Sequence, residues 1–215
     1  MSSIIYLSND TESIKYLSQK DKRLAKVIEM VGDISYKPYD NDYSFLVNQI
    51  IGQMLSAKVS LKISERLVNL CNGEITPEAI ISLDNETIKS TGMSSSKVSY
   101  IKNLSQMVLN KEIDFDSIRE LDDKNIIKEL SKIKGIGSWT SKMYLIFALN
   151  RQDVLPYEDM AFLQSYSWMY KTDDLSRQSI EKRCKKWKPY TSIGARYLYK
   201  ALDLGYIKQE FHLYK

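Results

Sequence analysis

The sequence predicts an all-α fold, and three observations carry that prediction. Only 8 glycines and 4 prolines punctuate 215 residues, so long helices with short connections are expected. Apolar residues recur at three- and four-residue spacing almost throughout. Strand-like alternation is weak everywhere, and the best extended stretch, "RQDVLPY", reads as a connector. About ten helices follow from the periodicity.

Taken in order, "ESIKYLSQKDKRLAKVIEMVG" places Ile14, Leu17, Leu24, Val27, Ile28 and Val31 on a helical period and stops at Gly32. "YSFLVNQIIGQ" and "SAKVSLKISERLVNLC" form a second pair, broken near Gly52–Leu55. "TPEAIISL" opens with a threonine cap and a proline at the first helical position, where the missing N–H is no loss. "SSSKVSYIKNLSQMVLNK" is amphipathic, and "DDKNIIKELSKI" leads into a glycine-containing turn. Beyond it lie "WTSKMYLIFAL", "MAFLQSYSWMY", "SRQSIEKRCKKW" and "KPYTSIGARYLYKALDL". The sequence shows no internal repeat and no low-complexity linker.

Composition narrows the function classes. Hydrophobic residues make up 43% and charged residues 27%, as in ordinary globular proteins. The net charge of +4, from 31 basic against 27 acidic residues, permits a nucleic-acid partner without demonstrating one. Fifteen tyrosines and 3 tryptophans can supply flat stacking surfaces, although their ordinary use is core packing. Cys71 and Cys184 fit no close metal-ligand spacing, and with one histidine, His212, a zinc or haem site is not expected. No apolar run is long enough to span a membrane. The N-terminal "MSSIIYLSND" lacks a basic n-region and a cleavage site, so a soluble, intracellular protein with reduced thiols is expected.

The stretch "LSKIKGIGSWTSKMYLIFAL" reads as helix, tight hairpin, helix. Gly135 and Gly137 can adopt positive φ and carry no Cβ, so another molecule can come close to the backbone. Ser138 can cap the following helix, whose open N–H groups suit a phosphate. Lys132, Lys134 and Lys142 add positive charge. On these residues alone, a phosphate grip and a plain helix–helix turn both stand. Downstream, in "RQDVLPYEDMAF", Pro156 closes the connector and Asp159 opens the next helix; taken alone, that carboxylate complements the helix dipole.

The ordered pattern of hairpin, helix, connector, proline and aspartate resembles the helix-hairpin-helix (HhH-GPD) DNA glycosylase superfamily. Three other segments match it in order: "FLVNQIIGQMLSAKVSLKISERL" resembles the early "IIGQQ" segment, "TGMSSSKVSYIKNLSQMV" the "GLS-KA-YI" segment, and "WKPYTSIGARYLYKAL" the "W-P-RS-A-YL-W" segment. The likeness spans roughly residues 20–205. It implies two helical lobes with an active-site cleft between them: residues 41–150, ending in the hairpin at 131–150, and residues 1–40 with 151–215.

Two departures indicate the type. Bifunctional members place a nucleophilic lysine two residues after the hairpin's last glycine, where this chain has Trp139. Iron–sulfur members need four C-terminal cysteines, and this tail offers only Cys184. The resemblance is therefore to the short alkyladenine (3-methyladenine) type, a monofunctional hydrolase without lyase activity. The roughly 40 residues before "DYSFLV" do not accommodate the N-terminal β-domain of some relatives.

The same resemblance implies the site. Asp159 stabilises the oxocarbenium-like sugar and positions water. Trp139, Tyr199 and Tyr157 line the flipped base, with core packing the alternative for Trp139 and Tyr199. Trp187 and Tyr190 are structural. Gln53 and Met54 occupy the wedge position at a helix break, with a buried junction methionine the alternative reading of Met54. Lys134, Gly135, Gly137, Ser138 and Lys142 hold the DNA backbone. No cofactor is required, although the carbonyls of Ser131, Ile133 and Ile136 match a structural Na+ or K+ site. The implied partner is double-stranded DNA with damaged bases, bound by a monomer with no membrane association. The expected location is cytoplasm or nucleoid in a bacterium or archaeon and nucleus in a eukaryote, without secretion. Three alternatives remain: a monofunctional glycosylase for deaminated or mismatched bases, a noncatalytic DNA-binding protein, and a lyase using another lysine such as Lys142.

Overall fold

The structure, a computed structural model, describes residues 3–214. Thirteen α-helices dominate them, and they group into two compact units: Tyr39–Tyr144, and the chain up to Pro38 together with Leu145 onward. No helix among the described residues is long and apolar enough to cross a membrane.

The all-α expectation holds, with one small addition. β1 (Ile5–Leu7) and β2 (Ile34–Tyr36) pair antiparallel, Ile5 opposite Tyr36 and Leu7 opposite Ile34. Three residues are too few for a period of two to register in sequence, so the strands were invisible there. They bracket α1 (Glu12–Lys20) and α2 (Lys22–Val31), which the pattern had read as one helix. Asp21 separates them. It adopts an extended backbone, and its carboxylate accepts the N–H groups of Arg23 at 3.0 Å and Leu24 at 3.3 Å. The same carboxylate accepts from the Trp187 indole at 2.9 Å and from the Tyr170 hydroxyl, and pairs with Lys186 at 3.1 Å. Burial alone would raise its pKa, but these donors together hold it below the usual carboxylate value. Trp187 is fully buried, which confirms its structural role.

The unit formed by the two ends also contains α11 (Met160–Tyr170), α12 (Arg177–Cys184) and α13 (Thr191–Asp203). Its core joins Leu17, Leu24, Val27, Phe162, Tyr166, Trp187 and Tyr197. Gly194 lets α13 approach, because a Cβ there would meet the Trp187 ring at 2.9 Å.

The central unit runs through α3 (Asp42–Gly52), α4 (Ala57–Leu70), α5 (Pro77–Ser82), α6 (Asn85–Lys89), α7 (Ser95–Leu109), α8 (Phe115–Arg119), α9 (Asp123–Leu130) and α10 (Ser138–Met143). The short helices α6 and α8 escaped the periodic reading. Side-chain caps start most of these helices, among them Asn41 on Ser44, Thr76 on Ala79 and Asp122 on Asn125, each contributing about 1 kcal/mol. Cys71 and Cys184 are free, buried thiols.

Residues 145–150, expected with the central lobe, group instead with the chain's two ends. The Ile146 carbonyl accepts Nη2 of Arg196 at 2.5 Å, and Asn150 accepts the Tyr36 hydroxyl at 3.0 Å. Over Tyr144–Ala148 the helix after the hairpin loosens into a π-helical turn, a distortion that recurs at functional sites.

Candidate active site

Asp159 caps α11. Its backbone is extended, its Oδ1 accepts the Phe162 N–H at 2.9 Å, and only 9% of the residue is exposed. The helix it caps thereby fixes Oδ1. The connector before it is stitched to the start of α13. Ser192 accepts the Val154 N–H at 2.9 Å and donates its own N–H to the Gln152 carbonyl at 2.8 Å, while Asp153 accepts from Thr191. "RQDVLPY" is thus an irregular connector whose contacts set Asp159 in register with α13.

α13 supplies Tyr199. Its ring packs against Phe147 at 5.9 Å, and its hydroxyl is buried beside the Asp159 carboxylate. Burial first, and then the nearby Asp159 carboxylate, hold this phenol above its ordinary pKa. It therefore remains a protonated donor facing the carboxylate. From sequence, Tyr199 is a stacking wall or a core residue; the structure brings its hydroxyl toward Asp159.

Arg196, one turn earlier, was missed. It is 8% exposed, and its guanidinium stacks 3.7 Å from the Tyr36 ring centroid and 4.8 Å from that of Phe147. Its Nε has no partner, and burial lowers its pKa. Tyr36, Phe147, Arg196 and Tyr199, with Asp33 and Asp203, line a pocket of about 380 Å³. The available signal was the three-residue step from Arg196 to Tyr199, which puts both on one helix face.

Tyr157 is differently engaged, because the Arg177 guanidinium lies 4.6 Å over its ring. Tyr190 makes an edge contact with Tyr16 at 5.5 Å, a packing role as expected.

In the central unit, α9, the hairpin and α10 form the expected turn. Gly135 has φ +87°, and a Cβ there would meet the Tyr100 ring at 2.3 Å. Gly135→Ala should therefore lower unfolding free energy by about 1–3 kcal/mol in urea titration. Gly137 corrects the expectation of positive φ: it is extended at φ −115°, with open space where a Cβ would point. It is also the residue that caps α10, accepting the Ser141 N–H at 3.0 Å, so Ser138 is the first helical residue rather than the cap. Trp139 follows, half-buried. Lys134 is exposed, and its N–H donates to Asn103 at 3.2 Å. Lys132 is engaged by Glu129. Lys142 is 7% exposed, so it does not present the solvent-facing ammonium that a phosphate contact needs. Of the three carbonyls matching a monovalent-cation site, that of Ile133 accepts the Ile136 N–H at 3.0 Å. Its second lone pair is the one a cation would use beside the Ser131 and Ile136 oxygens.

α3 ends in the turn Gly52–Leu55, closed by the Leu55 N–H on the Gly52 carbonyl at 3.1 Å. Gln53 at φ −53°, ψ 127° and Met54 at φ +58° make it a type II turn. Met54 is 100% exposed, so it is not a buried junction residue. Gln53 points the other way, its amide donating to the Gly135 carbonyl at 2.8 Å.

The model of the HhH-GPD superfamily of base excision DNA repair proteins matches residues 47–189. The chain is 28% identical over 204 residues to DNA-3-methyladenine glycosylase 1 of Schizosaccharomyces pombe, covering 91% of this chain and 89% of that protein. Among solved structures it resembles a DNA-3-methyladenine glycosidase from Bacillus halodurans, with TM-score 0.85, 29% identity and 97% of each chain covered. It also resembles the 3-methyladenine DNA glycosylase of Schizosaccharomyces pombe in complex with abasic DNA, with TM-score 0.80, 28% identity, and 90% of this chain and 97% of that one covered.

Proposed function

The chain belongs to the HhH-GPD superfamily of base excision DNA repair proteins, and from that premise we propose that it is a DNA glycosylase releasing 3-methyladenine and related N-alkylated purines by hydrolysis. The observation that carries the reading is Asp159, a buried carboxylate fixed by its own helix cap and faced by the Tyr199 hydroxyl.

The chemistry suits this set. A purine alkylated at N3 or N7 is cationic and leaves without being protonated. The C1′–N bond breaks with its electron pair on the base, which becomes neutral, while positive charge grows on the sugar. A carboxylate prearranged in a site of low exposure stabilises that charge more than water does. We assign this to the Asp159 carboxylate, held in place by its helix cap beside the Tyr199 hydroxyl. Water then bonds to C1′, and its proton passes to Asp159 or to solvent. Trp139, standing where bifunctional relatives carry a lysine, has no amine to form a Schiff base, so no lyase step follows. Trp139 and Tyr199 offer aromatic faces that attract a cationic purine by about 0.5–2 kcal/mol.

The DNA backbone is met by the hairpin through Lys134, Gly135 and Gly137, with Met54 entering the stack vacated by the flipped base. A cation held by the Ser131, Ile133 and Ile136 carbonyls would add positive charge beside a phosphate. The working form is a monomer acting where the cell keeps its DNA. Gly137→Ser tests the hairpin. Serine is a favourable cap, so stability should hold within about 0.5 kcal/mol. The side chain would intrude where the DNA lies, and affinity by fluorescence anisotropy should fall.

The deciding assay follows free bases and strand breaks from N-methylated DNA before and after alkali. Release of 3-methyladenine with breaks only after alkali is expected. Breaks without alkali would mean a lyase. Binding without release from alkylated, deaminated or mismatched substrates would leave a DNA-binding protein without catalysis.

A further inference from the structure

The tip carrying Met54 has a conformation that its own residues disfavour. Type II turns reserve their third position for glycine, because a side chain there strains a left-handed backbone. Met54 holds φ +58° all the same, at full exposure. Contacts elsewhere must hold the turn, and the structure shows two. Lys97, on the first turn of α7, donates its ammonium to the carbonyls of Ile51 at 2.8 Å and Gln53 at 2.7 Å. These lie among the last carbonyls of α3, which have no partner within the helix and form the negative end of its dipole. The Gln53 amide then fastens the same turn to the Gly135 carbonyl in the hairpin at 2.8 Å. Lys97 is half-buried, and its ammonium is directed at these two carbonyls.

We propose that Lys97 is a positioning residue for the Met54 wedge: its ammonium holds the Gly52–Leu55 turn in the form that projects Met54, and Gln53 locks that turn to the hairpin as one rigid piece. Whatever grips the hairpin thereby fixes the height at which Met54 meets the base stack. This rests on the reading of Met54 as the residue that enters DNA.

The test compares Lys97→Met, Lys97→Arg and Lys97→Gln in the full chain, each in the native and the Met54→Ala backgrounds. Two readouts are taken: single-turnover release of 3-methyladenine from paired DNA, and fluorescence of 2-aminopurine placed beside the lesion, which reports unstacking without chemistry. Lys97→Met should reduce both by about tenfold, a typical coupling for residues in one network. Lys97→Arg, which keeps two donors, should recover most of the loss, and Lys97→Gln, with one neutral donor group, should fall between them. In the Met54→Ala background Lys97→Met should change either readout by less than about twofold. An equal fold loss in both backgrounds, or no loss in the native one, would overturn the proposal. Should Lys97→Met fail to fold by thermal melting, the Arg and Gln variants decide by the same comparison. Native protein that unstacks the reporter but releases no base would refute the glycosylase reading, and the fluorescence arm would still decide the role of Lys97.

Discussion

Asp159→Asn is expected to slow release of 3-methyladenine from methylated DNA by about 10²–10⁴-fold, the range for removing a positioned acid–base or charge-stabilising group. The substitution is informative because of what it leaves intact. Asparagine keeps an oxygen at the position that accepts the Phe162 N–H at 2.9 Å, and asparagine and aspartate cap helices about equally well. Thermal stability should therefore hold within about 0.5 kcal/mol, and binding to DNA carrying an abasic analogue should persist. Asp159→Ala removes the cap as well and should lose about 1 kcal/mol of stability besides activity. The pair separates the two roles of one side chain: activity lost in both, stability lost only in the alanine variant. An asparagine variant that keeps more than about a tenth of the native single-turnover rate would transfer the chemistry to another residue.

What could be read from the sequence, and what could not, follows from the kind of interaction involved. The hairpin and the helix start at Asp159 were legible because local chemistry marks them, with glycines between lysines and a carboxylate after a proline, whereas a chemical role for Asp159 came only with the family resemblance. Gly32, Thr76 and Pro77 were legible for the same reason, acting within a few residues of themselves. Arg196 was not, since an arginine within an amphipathic helix reads as surface, and only the fold brings Tyr36 and Phe147 onto its two sides. Lys142 misled in the opposite sense, its charge suggesting exposure that the packing of α10 denies. Lys97 sat inside a recognised motif, yet its partners are backbone carbonyls 44 and 46 residues upstream, and carbonyls carry no sequence signature. The break at Gly52–Leu55 was visible, but its turn type was hidden because methionine stands where the local rule asks for glycine.

That mismatch leads to the second large effect. Met54→Gly should leave the fold as stable as before, or more stable by up to about 1 kcal/mol, since glycine takes φ +58° without strain. It should nonetheless cut base release from fully paired DNA by about 10–100-fold, because nothing then fills the stack when the damaged base leaves, and unstacking costs a few kcal/mol. Met54→Leu, apolar and of similar size, should retain most of the activity. The discriminating substrate is a duplex in which the alkylated purine is already unpaired, opposite an abasic site or in a bulge. There the unstacking has been done in advance, and Met54→Gly should approach the native rate. Urea unfolding gives the stability arm, and single-turnover release on paired and unpaired substrates gives the activity arm. A loss of equal size on both substrates would mean that Met54 acts on the chemistry or on overall binding, and no loss on either would mean that this exposed, strained methionine does not enter the DNA. A residue kept in a left-handed backbone at full exposure contributes nothing to packing, and the paired and unpaired substrates together decide whether that conformation serves the DNA.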